Sequence, residues 1–153
     1  MRERFRDEAG VVGGFEALPF GFLVFVAGTL LLVNAWAVVD GKLAASAAAR
    51  EAARAFAESP GPGGVAVAEA HRAAGEAIAG HGRDPDRMEL TWASGPRFER
   101  CARATVVVTY RVPTLSIPWI GAFGDGVIET SARHSEVVDP FRSGVPGEGP
   151  VAC

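Results

Sequence analysis

Hydrophobic residues run without a charged break through residues 17–39, ALPFGFLVFVAGTLLLVNAWAVV, and no polar stripe interrupts them at helical spacing. A soluble surface helix carries such a stripe, so this segment is predicted to face lipid all round. As a helix rising 1.5 Å per residue it reaches roughly 35 Å, enough for a hydrocarbon core of about 30 Å with some tilt. Its Leu, Val and Phe side chains favour insertion by a sum on the order of −4 to −8 kcal/mol, which Asn34 near one end offsets only in part. Pro19 is expected in the first turn, where its missing N–H costs little. Residues 40–59, DGKLAASAAAREAARAFAES, are strong helix formers without a β-branched residue, and Gly41 alone costs only about 1 kcal/mol. The pattern predicts one helix from Phe15 to Glu58, ended by Ser59-Pro60-Gly61-Pro62-Gly63-Gly64.

A second, alanine-rich helix is predicted from Val65 to Ala79, followed by a turn over residues 80–86. From Arg87 the period changes to two. Met88, Leu90 and Trp92 share one face of a short strand, with Glu89 and Thr91 on the other. Residues 99–112 alternate more clearly, with Ala102, Ala104, Val106, Val108, Tyr110 and Val112 on one face, until Pro113 stops the ladder. A third strand is expected from Val127 to Val138. Short links between three strands favour an antiparallel meander backed by the second helix, giving an α+β fold. Trp92, Tyr110, Trp119 and Phe123 are the aromatics expected to fill the small core, Trp119 having an exposed contact patch as its other reading. The segment from Asp139, DPFRSGVPGEGPVAC, is expected to be extended or mobile.

These patterns divide the chain into a leader (1–16), a transmembrane helix (17–39), a helical stalk (40–59), a small α+β head (60–138) and a Pro/Gly-rich tail (139–153). Arg2, Arg4 and Arg6 precede the span, but Lys42, Arg50 and Arg54 follow it, so the basic residues alone do not set its direction. With most of the chain after the span, the leader is assigned to the cytoplasm and the head outside it. The rival reading is a secretory signal cut near Ala35-Trp36-Ala37, against which the apolar stretch is too long, since signal cores run to about 7–15 residues.

Composition narrows the function. The 153 residues carry 15 Lys and Arg against 18 Asp and Glu, a net charge of −3, which gives no electrostatic reason to expect nucleic acid as a partner. Two cysteines are too few for a disulfide scaffold or a four-Cys zinc site. Cys101 and Cys153 either form a bridge worth on the order of 4 kcal/mol for a ~50-residue loop, or remain two separate thiols. His71, His81 and His134 lie on three different elements and lack zinc-site spacing. No serine has a nucleophile-elbow context, and Gly121, Gly124 and Gly126 precede a strand where a phosphate loop precedes a helix. Neither an enzyme activity, a cofactor nor a bound metal is expected. Ala44, Ala48, Ala52 and Ala55 make a smooth helix face with two readings, a seam for neighbouring subunits or a surface resting on the chain's own domain. Within the span, Gly21, Ala27, Gly28, Asn34 and Ala35 are the residues suited to close helix pairing.

The layout resembles the TadE/TadG-like family of pilus assembly proteins, membrane-anchored relatives of type IV pilins. The resemblance rests on Gly10-Val-Val-Gly-Gly-Phe-Glu16 before the apolar block and Ala47-Ala-Ala-Arg-Glu-Ala-Ala-Arg54 beyond it. Val106-Val-Val-Thr-Tyr-Arg-Val-Pro113 and Ile128-Glu-Thr-Ser-Ala-Arg133 resemble the family's pair of C-terminal strands. It implies a pilin-like leader open to a prepilin peptidase, with Gly10–Val11 as the bond to be cut. Glu16 stands six residues after Gly10, where the family's pattern has five. The resemblance also implies that Glu16 meets the amino terminus of a neighbouring subunit during assembly. The other reading of Glu16 is a marker of the headgroup level, favoured by the helix dipole. Expected partners are the lipid bilayer, other pilin-like subunits and a Tad-type assembly platform. The alternative is a secreted or anchored envelope-binding module unrelated to pili.

Overall fold

The structure, a computed structural model, describes the backbone of residues 9–115, 126–147 and 153, and the side chains among them from residue 17 onward. Helix α1 runs Ala9–Glu58 and helix α2 runs Gly63–Gly80. A 3-10 turn at Pro85–Arg87 leads into strands β1 (Met88–Trp92), β2 (Arg103–Pro113) and β3 (Val127–Val137). The strands form one antiparallel sheet in the order β1-β2-β3. The fold is therefore α+β: a long apolar helix, a second helix and a three-stranded meander.

Two compact units divide the chain, Met1–Trp36 and Ala37–Cys153. Among the described residues the first is the earlier part of α1. It starts at Ala9, ahead of the expected Phe15, which puts Pro19 inside the helix and not in its first turn. Proline there leaves one carbonyl of the preceding turn without its N–H partner, a defect that membrane helices tolerate.

The second unit has its own core. From α1 it takes Ala44, Ala45, Ala48, Ala49, Ala52, Ala53 and Phe56, and from α2 Ala66, Ala70, Ala74 and Ile78. The sheet adds Ala104, Val106, Val108, Tyr110 and Val112 from β2, which alternates buried and less buried along its length as the period of two requires. Alanine on both helices keeps the buried side chains small, so a small domain closes its core with few large ones. The closest approach is at Gly41, where a Cβ would stand 2.5 Å from Val112 Cγ2. Gly41 is thus a packing requirement as well as a tolerated weak point of the helix.

Three boundaries differ from the alternation pattern. β2 begins at Arg103 because residues 99–102 turn back on themselves: Ala102 N–H donates to the Glu99 carbonyl at 3.1 Å, and Cys101 adopts φ 63°. α2 begins at Gly63, directly after Pro62 in extended conformation. The segment after Asp139 is packed in part, with Val145 buried against the head.

Candidate functional site

Among the described residues, the earlier unit of α1 buries none of its apolar side chains. Leu18, Phe20, Phe22, Leu23, Phe25, Leu31, Leu32 and Trp36 are each exposed by 61% to 72%. The two polar residues between Ala17 and Trp36 turn back on their own helix. Thr29 Oγ1 donates to the Phe25 carbonyl at 2.9 Å, and Asn34 Nδ2 donates to the Leu30 carbonyl at 3.0 Å. Both bonds lower the cost of placing a hydroxyl or amide in hydrocarbon. Around Gly21 and Gly28 nothing lies within 4 Å of an added Cβ, so both positions present open backbone. This is the one helix among the described residues long and apolar enough to cross a membrane.

The other assembly residues fall out differently. Ala44, Ala48 and Ala52 are fully buried in the core of their own domain and Ala55 is half-buried. Of the two readings of this alanine face, the structure takes the intramolecular one, because the sheet and α2 already occupy it. Gly10, Val11 and Glu16 lie on the helical backbone of α1, with side chains outside the described residues. Trp119 and Phe123 lie outside the described residues altogether.

At the start of the second unit, Arg83 ties α1 to the end of α2. Its Nε donates to Asp40 Oδ2 at 2.9 Å, and its Nη2 reaches the same oxygen and the Ala37 carbonyl, the latter at 3.2 Å. The guanidinium also lies over the Tyr110 ring, 6.0 Å from its centre. Gly82, with φ 68°, supplies the left-handed turn that ends α2 just before this arginine.

At the opposite end of α1, the segment after the sheet acts as a clasp. Arg142 Nη1 and Nη2 donate to the carbonyls of Ala57 and Glu58, each at 2.7 Å, satisfying acceptors that a helix end leaves orphaned. The Arg142 guanidinium sits 6.0 Å from the centre of the Phe98 ring. Phe98 in turn meets Phe56 edge-on at 5.5 Å, and Phe56 meets Trp92 at 4.7 Å. Arg100 N–H donates to the Pro146 carbonyl at 2.8 Å. Cys101 is bridged to Cys153, their Cα atoms 5.2 Å apart across a sequence separation of 52. The tail is therefore held at three places. Phe56, Phe98 and Arg142 are the residues that pattern reading missed: Phe56 continues the spacing of four from Ala44, Ala48 and Ala52, but its bulk does not fit a smooth alanine face, and the other two lie in segments without periodicity.

The three histidines lie on separate segments of the chain. His71 and His81 are exposed, and His134 Nε2 lies 3.1 Å from Glu136 Oε1. Among the described residues no group of three or more His, Cys, Asp and Glu could hold a metal ion. On α2, Arg72 bonds Glu69 and Glu76 at 2.6 and 2.7 Å, and those bonds hold its guanidinium above its ordinary pKa. The group is fully exposed, so the pairing steadies the helix surface only slightly.

Fold and surface define a coarse class, a small α+β protein with one helix suited to single-pass membrane anchoring. The chain matches no protein-family model, no curated protein and no solved structure.

Proposed function

We propose that this chain is a non-enzymatic, single-pass membrane protein of TadE-like type, acting as a minor pilin or pilus assembly subunit. The observation that carries the anchoring is the unburied apolar surface from Leu18 to Trp36. Leaving side chains of that size in water forfeits about 1.5–3 kcal/mol apiece relative to burial, and a bilayer removes the whole loss. The leader lies in the cytoplasm and the head outside it. The Cys101–Cys153 bridge supports that direction, because disulfides persist in oxidising compartments.

Subunits associate through the span, where Gly21 and Gly28 leave room for a neighbouring helix and Asn34 supplies an amide. Glu16 meets the amino terminus of a neighbour at the membrane boundary, and a prepilin peptidase cuts the Gly10–Val11 bond. The partners are the bilayer, other pilin-like subunits and a Tad-type assembly platform. The resemblance and the anchor-plus-head layout support this reading.

The test is site-specific crosslinking in intact cells, with a photoreactive residue at Gly21 or Gly28, followed by mass spectrometry of the products. The reading expects adducts with pilin-like subunits that weaken in a Glu16→Ala variant, together with a mature chain starting at Val11. Adducts with lipid alone, from a chain that keeps Met1, would contradict it.

A further inference from the structure

The loop between β1 and β2 gathers three arginines around one open groove of about 410 Å³, lined among others by Arg97, Arg100 and Arg103. The one acid among the described lining residues is Glu99. Arg97 and Arg103 are exposed, and among the described residues no carboxylate pairs with either. Arg100 is fixed from behind, its Nε donating to the Arg142 carbonyl at 3.1 Å and its N–H to Pro146.

The backbone beneath these side chains is unusually constrained. Cys101 takes φ 63°, a left-handed conformation that costs a residue with a Cβ on the order of 1–2 kcal/mol. It persists because its surroundings over-determine it: Cys101 N–H donates to the Val138 carbonyl and Val138 N–H to the Ala102 carbonyl, both at 3.0 Å. The bridge to Cys153 adds a covalent hold at the same residue. Strain of this kind gathers where a surface must be held ready for a ligand.

We propose that this groove is a binding site for carboxylate groups presented by an acidic peptide segment of a partner protein. Guanidinium forks match carboxylates in two-point geometry, and among the described lining residues three of them stand against one acid, on a chain of net charge −3. Its volume lies within the range of ligand pockets, and the arginines recur at every third residue along the loop. Three separate guanidinium groups around one groove suit several carboxylates better than one isolated anion. The site stands whether or not the chain belongs to a pilus.

Fluorescence anisotropy tests it, with the full chain in lipid nanodiscs and labelled hexaglutamate as the probe, inorganic phosphate serving as competitor. Hexaglutamate is expected to saturate and to weaken severalfold between about 50 and about 200 mM salt. An R97Q/R103Q variant is expected to lose at least tenfold in affinity at an unchanged melting temperature, and R50Q, on the exposed side of α1, to lose nothing. If R97Q/R103Q fails to fold, R97K/R103K replaces it and is expected to keep ionic-strength-dependent binding at reduced affinity. Absence of saturation, equal loss in R50Q, or displacement by phosphate at matched charge concentration would each overturn the proposal.

Discussion

Arg142 closes the end of α1 from 84 residues away in sequence: its Nη2 donates to the Glu58 carbonyl at 2.7 Å while Nη1 takes the neighbouring Ala57 carbonyl. A helix followed by Ser59 and Pro60 has no glycine cap of its own, and a guanidinium fork from the tail does that work. Replacing Arg142 with Ala is expected to destabilise the head by about 1.5–3 kcal/mol, the range for hydrogen bonds to a charged group. Thermal unfolding followed by near-UV circular dichroism reads the loss. An Arg142→Lys change should recover part of it, since an ammonium keeps the charge but not the fork. A melting curve unmoved by Arg142→Ala would show that the tail does not hold the helix.

Gly41 and Val112 make a second such pair, one on α1 and one on β2. Adding a methyl at Gly41 gains about 1 kcal/mol of helix propensity but meets Val112 Cγ2, a stiff and fully buried side chain. Overpacking of this order costs about 1–3 kcal/mol, so Gly41→Ala is expected to be net destabilising. The Val112→Ala change alone leaves a cavity, yet combined with Gly41→Ala it should cost less than the sum of the two. Chemical unfolding of the two single variants and the double variant measures that coupling. Strict additivity would show that the two residues do not touch.

The bridge between Cys101 and Cys153 closes a loop that contains β2 and β3. In the chain-entropy model a loop of that length contributes on the order of 4 kcal/mol, through the unfolded state. Non-reducing gels of protein taken directly from cells should show faster migration than reduced samples. Urea unfolding with and without reductant should differ by an amount of that order. Identical mobility in both gels would mean that the thiols stay apart.

Arg83 has side-chain exposure of only 17%, against 37% for its partner Asp40, so the pair is neither fully buried nor a free surface contact. Arg83→Ala strands the Asp40 carboxylate and opens the Ala37 carbonyl, and a loss of about 1–3 kcal/mol is expected, below the 3–5 of a fully buried pair. A double-mutant cycle with Asp40→Asn, read by unfolding, separates the ion pair from the stacking on Tyr110. A zero coupling energy would assign the whole effect to that stacking and to the bond with the Ala37 carbonyl.

Much of the fold is legible in the sequence because its two periods are clean. Val106, Val108, Tyr110 and Val112 recur at every second position, with Val107 the one apolar residue between them, and β2 buries all four. The apolar block at 17–39 and the Ser59-Pro60-Gly61 break set the ends of what α1 has to do. The rest depends on contacts distant in sequence. Whether Ala44, Ala48 and Ala52 serve a neighbour or their own sheet depends on what faces them, and a helical pattern carries only the spacing. Gly41 reads as a weak helix position until β2 is placed beside it. Arg142 looks like one charge in a loose Pro/Gly-rich tail, since its partners are backbone carbonyls that no side-chain pattern announces. Arg100 and Arg103 sit inside residues 99–112, expected as a strand, with Arg97 just ahead of it, and the reversal at Cys101 appears only in its dihedral angle.

The central claim is that residues 17–39 hold the chain in a lipid bilayer with the head outside the cytoplasm. Alkaline carbonate extraction of membranes from cells expressing the full chain with Ser94→Cys, labelled beforehand by a membrane-impermeant maleimide, tests both halves at once. The account predicts that the labelled protein stays in the membrane pellet and that intact cells label as fully as lysed ones. Release into the carbonate supernatant, or labelling only after lysis, would contradict it.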